Sequence, residues 1–179
     1  MITVLTLPGW HNSGPLHWQT LWEQQNQGFK RVQQRDWETP KREDWLTNIC
    51  EEVNAAPGSV VLVGHSLGCI AVAHCCRIRS AQISKIKGAL LVAPADVERP
   101  ETPGEIRDFA PVPLERLPFP SVLITSSDDP WLALDRAGEM AEMWGSSFVN
   151  IGSAGHINSE SGLGDWPEGK RMLRRLLEA

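Results

Sequence analysis

Apolar residues gather along the chain in five short, nearly unbroken runs: Ile2 to Leu7, Ser59 to Val63, Gly88 to Ala93, Ser121 to Thr125 and Ser147 to Ile151. Such runs fit strands covered on both faces, as in a parallel sheet. The stretch Lys30 to Arg35, with Val32 its only strongly apolar residue, is a candidate edge strand. Between the runs, helical spacing appears from Pro15 to Gln27, Arg42 to Asn54, Leu67 to Arg79, Trp131 to Met143 and Pro167 to Leu177. Asp165 and Glu168 suggest a capping box for the last of these, with Pro167 in its first turn. Strand and helix thus alternate along the chain. Right-handed crossovers turn that alternation into an α/β fold with a mostly parallel, doubly wound sheet, and residues 1–179 suit a single domain.

One segment breaks the rhythm. Pro94 to Pro120 carries seven of the thirteen prolines and no clear periodicity. It follows a strand expected in mid-sheet, so it emerges at the carboxyl edge, where ligands bind such folds. Two readings stay open, a pocket wall and a plain surface crossover, with Phe109 and Phe119 as its apolar contacts.

Composition narrows the partners. A net charge of -5, with 41% hydrophobic and 22% charged residues, describes a globular protein that favours neither nucleic acid nor an anionic membrane. Lys85-Ile-Lys87 and Arg174-Arg175 are too short to change that. The opening run has no cationic segment before it and ends at Pro8 and Gly9, which reads as a strand of a cytoplasmic protein. Cys50, Cys69, Cys75 and Cys76 lack metal-ligand spacing and read as reduced core thiols, so no metal is expected.

The chemistry centres on Gly64-His65-Ser66-Leu67-Gly68. A Gly-x-Ser-x-Gly string alone is weak, but here it directly follows an apolar strand and directly precedes a helix of small and apolar residues. A sharp turn in that setting lifts the Ser66 hydroxyl above the strand end, beside unpaired helix N–H groups that favour developing negative charge. Gly64 and Gly68 are expected where side chains would clash. Leu67 N–H becomes one oxyanion donor. A second is expected from the loop Leu7-Pro-Gly-Trp-His-Asn-Ser-Gly14, with Trp10 as first choice and His11 as second, unless that loop merely caps the following helix.

A serine hydroxyl needs a histidine to take its proton, and the histidine needs a carboxylate to fix its tautomer. On this fold they follow in the order Ser, Asp or Glu, His. Ser126-Ser-Asp-Asp-Pro130 and Gly152-Ser-Ala-Gly-His156 each follow a predicted strand. Asp129 is preferred over Asp128 because Pro130 restricts its backbone, while Asp128 suits a turn or cap. Of five histidines, His156 alone has the right order and the right strand end; His65 should point away from the Ser66 hydroxyl.

Together these blocks, with His17-Trp18, Trp131 and the stretches Gly155-His-Ile-Asn158 and Ser161-Gly-Leu-Gly-Asp-Trp-Pro-Glu-Gly169, resemble the short α/β hydrolases related to retinoblastoma-binding protein nine and their bacterial serine-hydrolase relatives. The resemblance runs nearly the length of the chain. It implies an α/β-hydrolase-like three-layer sandwich with a six-stranded parallel sheet, no cap domain, and a triad of Ser66, Asp129 and His156. Vertebrate relatives carry a Leu-x-Cys-x-Glu sequence associated with retinoblastoma-protein binding. Here Asn48-Ile-Cys-Glu-Glu52 has Asn48 in the leucine slot, so that partner is not expected.

The expected function is hydrolysis of a small-molecule acyl ester, or an amide or thioester, through an acyl-serine intermediate and without a cofactor. His11, Trp131 and Trp166 are candidate substrate contacts, with core packing the alternative for both tryptophans. The competing readings are a non-catalytic binding module that keeps the hydrolase fold and a flavodoxin-like nucleotide binder. The latter lacks a phosphate loop.

Overall fold

In the computed structural model, which describes residues 1–77 and 81–178, the alternation becomes a single six-stranded sheet. The chain runs β1 (Ile2–Leu7), α1 (Trp18–Gln25), β2 (Phe29–Arg31), α2 (Arg42–Ala55), β3 (Ser59–His65), α3 (Leu67–Arg77), β4 (Ile86–Val92), β5 (Ser121–Thr125), α4 (Leu134–Trp144), β6 (Ser147–Asn150) and α5 (Pro167–Glu178). All neighbouring strands are parallel, in the order β2-β1-β3-β4-β5-β6.

Side chains alternate between the two faces of this sheet. Leu5, Leu7, Val60, Leu62, Ala89 and Leu91 pack under α2, α3 and α4. Val4, Val61, Val63, Leu90 and Val92 pack under α1 and α5. Both faces are covered, which is why the strands read as continuous apolar runs rather than as alternating ones. No helix among the described residues is long and apolar enough to cross a membrane.

The departures from the sequence reading have local causes. The first helix begins at Trp18 rather than Pro15 because the His17 side chain caps it, Nδ1 accepting the Gln19 N–H at 3.2 Å. The fourth begins at Leu134 rather than Trp131 because Trp131 N–H is turned onto Asp129 Oδ1 at 2.8 Å. The edge strand is shorter than Lys30 to Arg35, although Val32 still bonds Thr6 through its N–H at 2.9 Å and is fully buried. The expected end of α3 at Arg79 lies outside the described residues. The capping box at Asp165 does not form as predicted: its carboxylate meets Lys170 Nζ at 2.5 Å instead. A capping box does occur at Asn158 and Ser161, around the 3₁₀ turn Ser159–Ser161.

The proline-rich segment is anchored rather than loosely draped. His74 Nε2 on α3 donates to the Phe109 carbonyl at 2.7 Å, and the Trp144 indole donates to the Pro113 carbonyl at 2.6 Å. Ile106, Phe109, Val112, Leu117 and Phe119 are buried against the core. Ala95 and Ile106 from the same segment also reach the cleft above β3, so it contributes a pocket wall.

Candidate active site

The turn from β3 to α3 holds Ser66 at φ 54°, in the left-handed region. For a residue with a Cβ this costs about 1 kcal/mol or more. Backbone bonds hold it there, Ser66 N–H to Val92 O and Cys69 N–H to Ser66 O, each at 3.0 Å. Two glycines allow the surrounding approach. A Cβ at Gly68 would stand 2.1 Å from the Leu7 carbonyl oxygen, so only glycine lets α3 start against the end of β1. A Cβ at Gly9 would lie 2.7 Å from Ser66 Cβ, so the loop after β1 passes directly against the nucleophile. Gly64 is less strictly required, with 3.1 Å to the Cys69 nitrogen.

Ser66 Oγ donates to His156 Nε2 at 2.8 Å. His156 Nδ1 lies 2.9 and 3.0 Å from the two carboxylate oxygens of Asp129. A carboxylate can only accept, so Nδ1 carries the imidazole proton and Nε2 keeps its lone pair for the serine. The Asp129 side chain is fully buried and that of His156 is 10% exposed. Of the two adjacent acids, Asp129 is therefore the partner of the base.

Asp128 does a different job. Its Oδ1 accepts from Ser126 Oγ at 2.6 Å, Ala154 N–H at 2.9 Å and Gly155 N–H at 2.8 Å. These donors, led by the Ser126 hydroxyl, hold its carboxyl below the usual aspartate value. The rest of the histidine loop is clamped in the same way. Ser161 Oγ donates to Ala154 O at 2.6 Å, His65 Nε2 to His156 O at 2.9 Å and Trp18 Nε1 to Ile157 O at 2.8 Å. Ile157, a β-branched residue at φ 48°, is kept in that conformation while fully buried.

A serine hydrolase family profile matches residues 4–175. The chain belongs to the serine hydrolase family. It is similar over 99% of its length to a YdeN-like hydrolase from Pectobacterium atrosepticum, at 32% identity and a TM-score of 0.88, covering 91% of that chain. The ydeN gene product of B. subtilis aligns over the whole of both chains at 19% identity and a TM-score of 0.79. Est1E from Butyrivibrio proteoclasticus, solved with ferulic acid, shares the fold at 11% identity, with a TM-score of 0.73 over 100% of this chain and 90% of that one. Comparison with curated protein sequences gave no match. The resemblance inferred from the sequence motifs is thus to the right family, and the triad arrangement supports action on a small acyl substrate.

In this serine hydrolase a cleft of about 350 Å³ opens over Ser66. Trp10, Leu67, Ala95, Ile106 and Trp131 give it an apolar side. His11 and Trp131, expected as substrate contacts, both reach it. Trp166 does not: it is 2% exposed and packs with Trp18 and Trp22, at ring-centroid distances of 5.1 and 6.0 Å. Core packing claims it because Gly169 lets α5 sit directly on its ring. His11 is also ruled out as the second-choice oxyanion donor, since its N–H is bonded to Trp37 O at 3.1 Å while its ring stacks on Trp10 and pairs with Glu38.

Sequence reasoning missed His17 and His65 as parts of this site. Both are buried and line the cleft, with ring centroids 4.7 Å apart and the His65 ring 5.0 Å from that of His156. Burial, helped by the neighbouring Arg31 and His156, lowers the His17 pKa to about 3, and burial holds His65 well below the ordinary histidine value. Both rings are neutral at pH 7. The adjacency of His65 to Ser66 and the place of His17-Trp18 among the family-like blocks were the sequence signals for this. Asn158, also on the rim, ends the family-like block that contains the base, whereas Ser159 and Glu160 had no signal beyond following it.

Proposed function

We propose that the protein hydrolyses small carboxylic esters through an acyl-Ser66 intermediate. The observation that carries this reading is the unbroken hydrogen-bonded line from Asp129 through His156 to Ser66. Ser66 Oγ attacks the acyl carbon as its proton passes to His156 Nε2, giving a tetrahedral oxyanion. When that intermediate collapses, the bond to the leaving oxygen breaks and His156 returns the proton to it. Water then attacks the acyl-serine with His156 again as base, and the acid is released.

Leu67 N–H and Trp10 N–H are the oxyanion donors in this reading. Leu67 opens α3, so its N–H precedes the helix's own hydrogen-bond ladder and faces the favourable end of the helix dipole. Trp10 follows the glycine that lies against Ser66, which supports its N–H over that of His11. Asp129 orients the base, and His11 and Trp131 contact substrate. Each proton and bond is handled by these groups, so no step calls for a metal or organic cofactor.

The test is a fluorophosphonate probe together with a short-chain nitrophenyl ester. Ser66→Ala should abolish labelling and reduce turnover on the order of 10⁶-fold, the scale of losing an intact triad. Undiminished labelling of Ser66→Ala would overturn the assignment.

A further inference from the structure

His156 lines two clefts. The first contains Ser66 and Leu67. The second, of about 390 Å³, shares Trp131, His156, Asn158 and Glu160 with it and adds Ser153 and Gly155, but contains neither Ser66 nor Leu67. Building on the acyl-enzyme reading above, we propose that the second cleft is the leaving-group subsite and that Glu160 and Trp131 make it select a cationic alcohol, such as an amino alcohol or its quaternary ammonium.

The first half of the inference follows from proton transfer. The leaving oxygen must come within reach of His156 Nε2, because that atom returns the proton as the ester bond breaks. A cleft lined by His156 but not by the nucleophile is placed for the part of the substrate beyond that oxygen. The acyl part is left with the apolar side of the first cleft, formed by Leu67, Ala95 and Ile106.

The second half follows from charge. Glu160 is the only acidic side chain lining the second cleft, which no lysine or arginine lines, and it is exposed and enters no ion pair among the described residues. Asp128 adds charge of the same sign behind it, through the Ala154 and Gly155 N–H groups it accepts. Arg99, in the adjoining recess that shares Pro130 and Trp131, faces Glu101 at 3.6 Å and donates to the Pro130 carbonyl. Its charge is thereby partly compensated. Trp131, half-buried and with its ring centroid 6.0 Å from that of His156, supplies an aromatic residue to the same cleft that Glu160 lines. An aromatic ring with a nearby anion is the combination that holds an ammonium group, and the net charge of -5 favours the approach of a cation.

The test uses three acetate esters that differ in the leaving alcohol: acetylcholine, its uncharged isostere 3,3-dimethylbutyl acetate, and 2-sulfonatoethyl acetate. Acid release at low ionic strength gives kcat/KM for each. The cationic ester should exceed the neutral isostere by about tenfold and the anionic ester should fall below it, with both gaps shrinking in salt. Glu160→Gln should reduce the cation-to-neutral ratio roughly threefold or more, and Glu160→Lys should invert the preference, each in protein whose melting curve shows it folded. A ratio near one in the wild type, or one unchanged in both folded variants, overturns the subsite assignment. Absence of fluorophosphonate labelling at Ser66 rejects the acyl-enzyme reading itself and the subsite with it.

Discussion

At the residue scale, the base is held more by its backbone than by its ring. Asp129 touches the imidazole, while His65, Asp128, Ser161 and Trp18 hold the loop that carries it. His65 is the informative member, because it also precedes the nucleophile and so ties base and serine to one strand end. Its donor is Nε2, and a glutamine amide reaches about as far as that atom. Replacing it by leucine leaves the His156 carbonyl without its donor, a loss of about 1–3 kcal/mol. His65→Leu should therefore lower kcat about tenfold or more with KM little changed, and His65→Gln should recover most of it. If packing alone mattered, leucine would serve at least as well as glutamine, and steady-state kinetics on a nitrophenyl ester separates the two cases.

At the element scale, contacts between backbones place the catalytic loops. Helix α3 can start where it does only because Gly68 brings it against the end of β1, the strand whose loop supplies Gly9 and Trp10. Gly68→Ala must push these elements apart. It should destabilise the fold by about 2 kcal/mol or more, lowering Tm by roughly 4–8 °C or more for a chain of this length, and reduce activity further than the melting shift explains. Gly138, inside α4, provides the contrast, since a Cβ there meets nothing within 4 Å. Gly138→Ala should raise stability by about 0.5–1 kcal/mol through the lost flexibility of the unfolded chain, as thermal melts of the pair will show.

At the scale of the whole molecule, the buried histidines set the acid limit of the fold. His17 titrates near about 3 in the folded protein, and His65 and His74 are also lowered, in each case chiefly by burial. Their folded values lie below the unfolded value of about 6.5, so below that pH the unfolded chain takes up protons that the native state refuses. Their contribution is complete above about pH 6.5 and is lost as pH falls, for His17 by about 1.4 kcal/mol per pH unit down to its folded value of about 3. Asp128 acts lower down: its depressed carboxyl stabilises the fold above about pH 3.8, and that contribution disappears only as pH falls through its folded value. Urea midpoints should thus drop steeply between pH of about 6.5 and about 4, and a flat profile across that window would contradict the burial of these rings.

The sequence by itself determined the strand and helix order, the position of Ser66 and the choice of His156. These depend on local pattern: apolar runs, a glycine-flanked turn and the order of residues at strand ends. The proline restriction on Asp129 favoured the right acid, but its buried contact with His156 had to be seen. Only the tertiary structure decided which side chains hold the histidine loop, since Trp18 and Ile157 meet across 139 positions of chain and His65 and His156 across 91. It also separated two tryptophans that the sequence left equivalent, placing Trp131 on the cleft and Trp166 in the core. An indole near a catalytic residue in sequence can face either way, and what packs on its other side fixes the direction. The nucleophile could be read locally, whereas the clefts that receive its substrate are made by loops from β1, β4, β5 and β6, which come together only in the folded sheet.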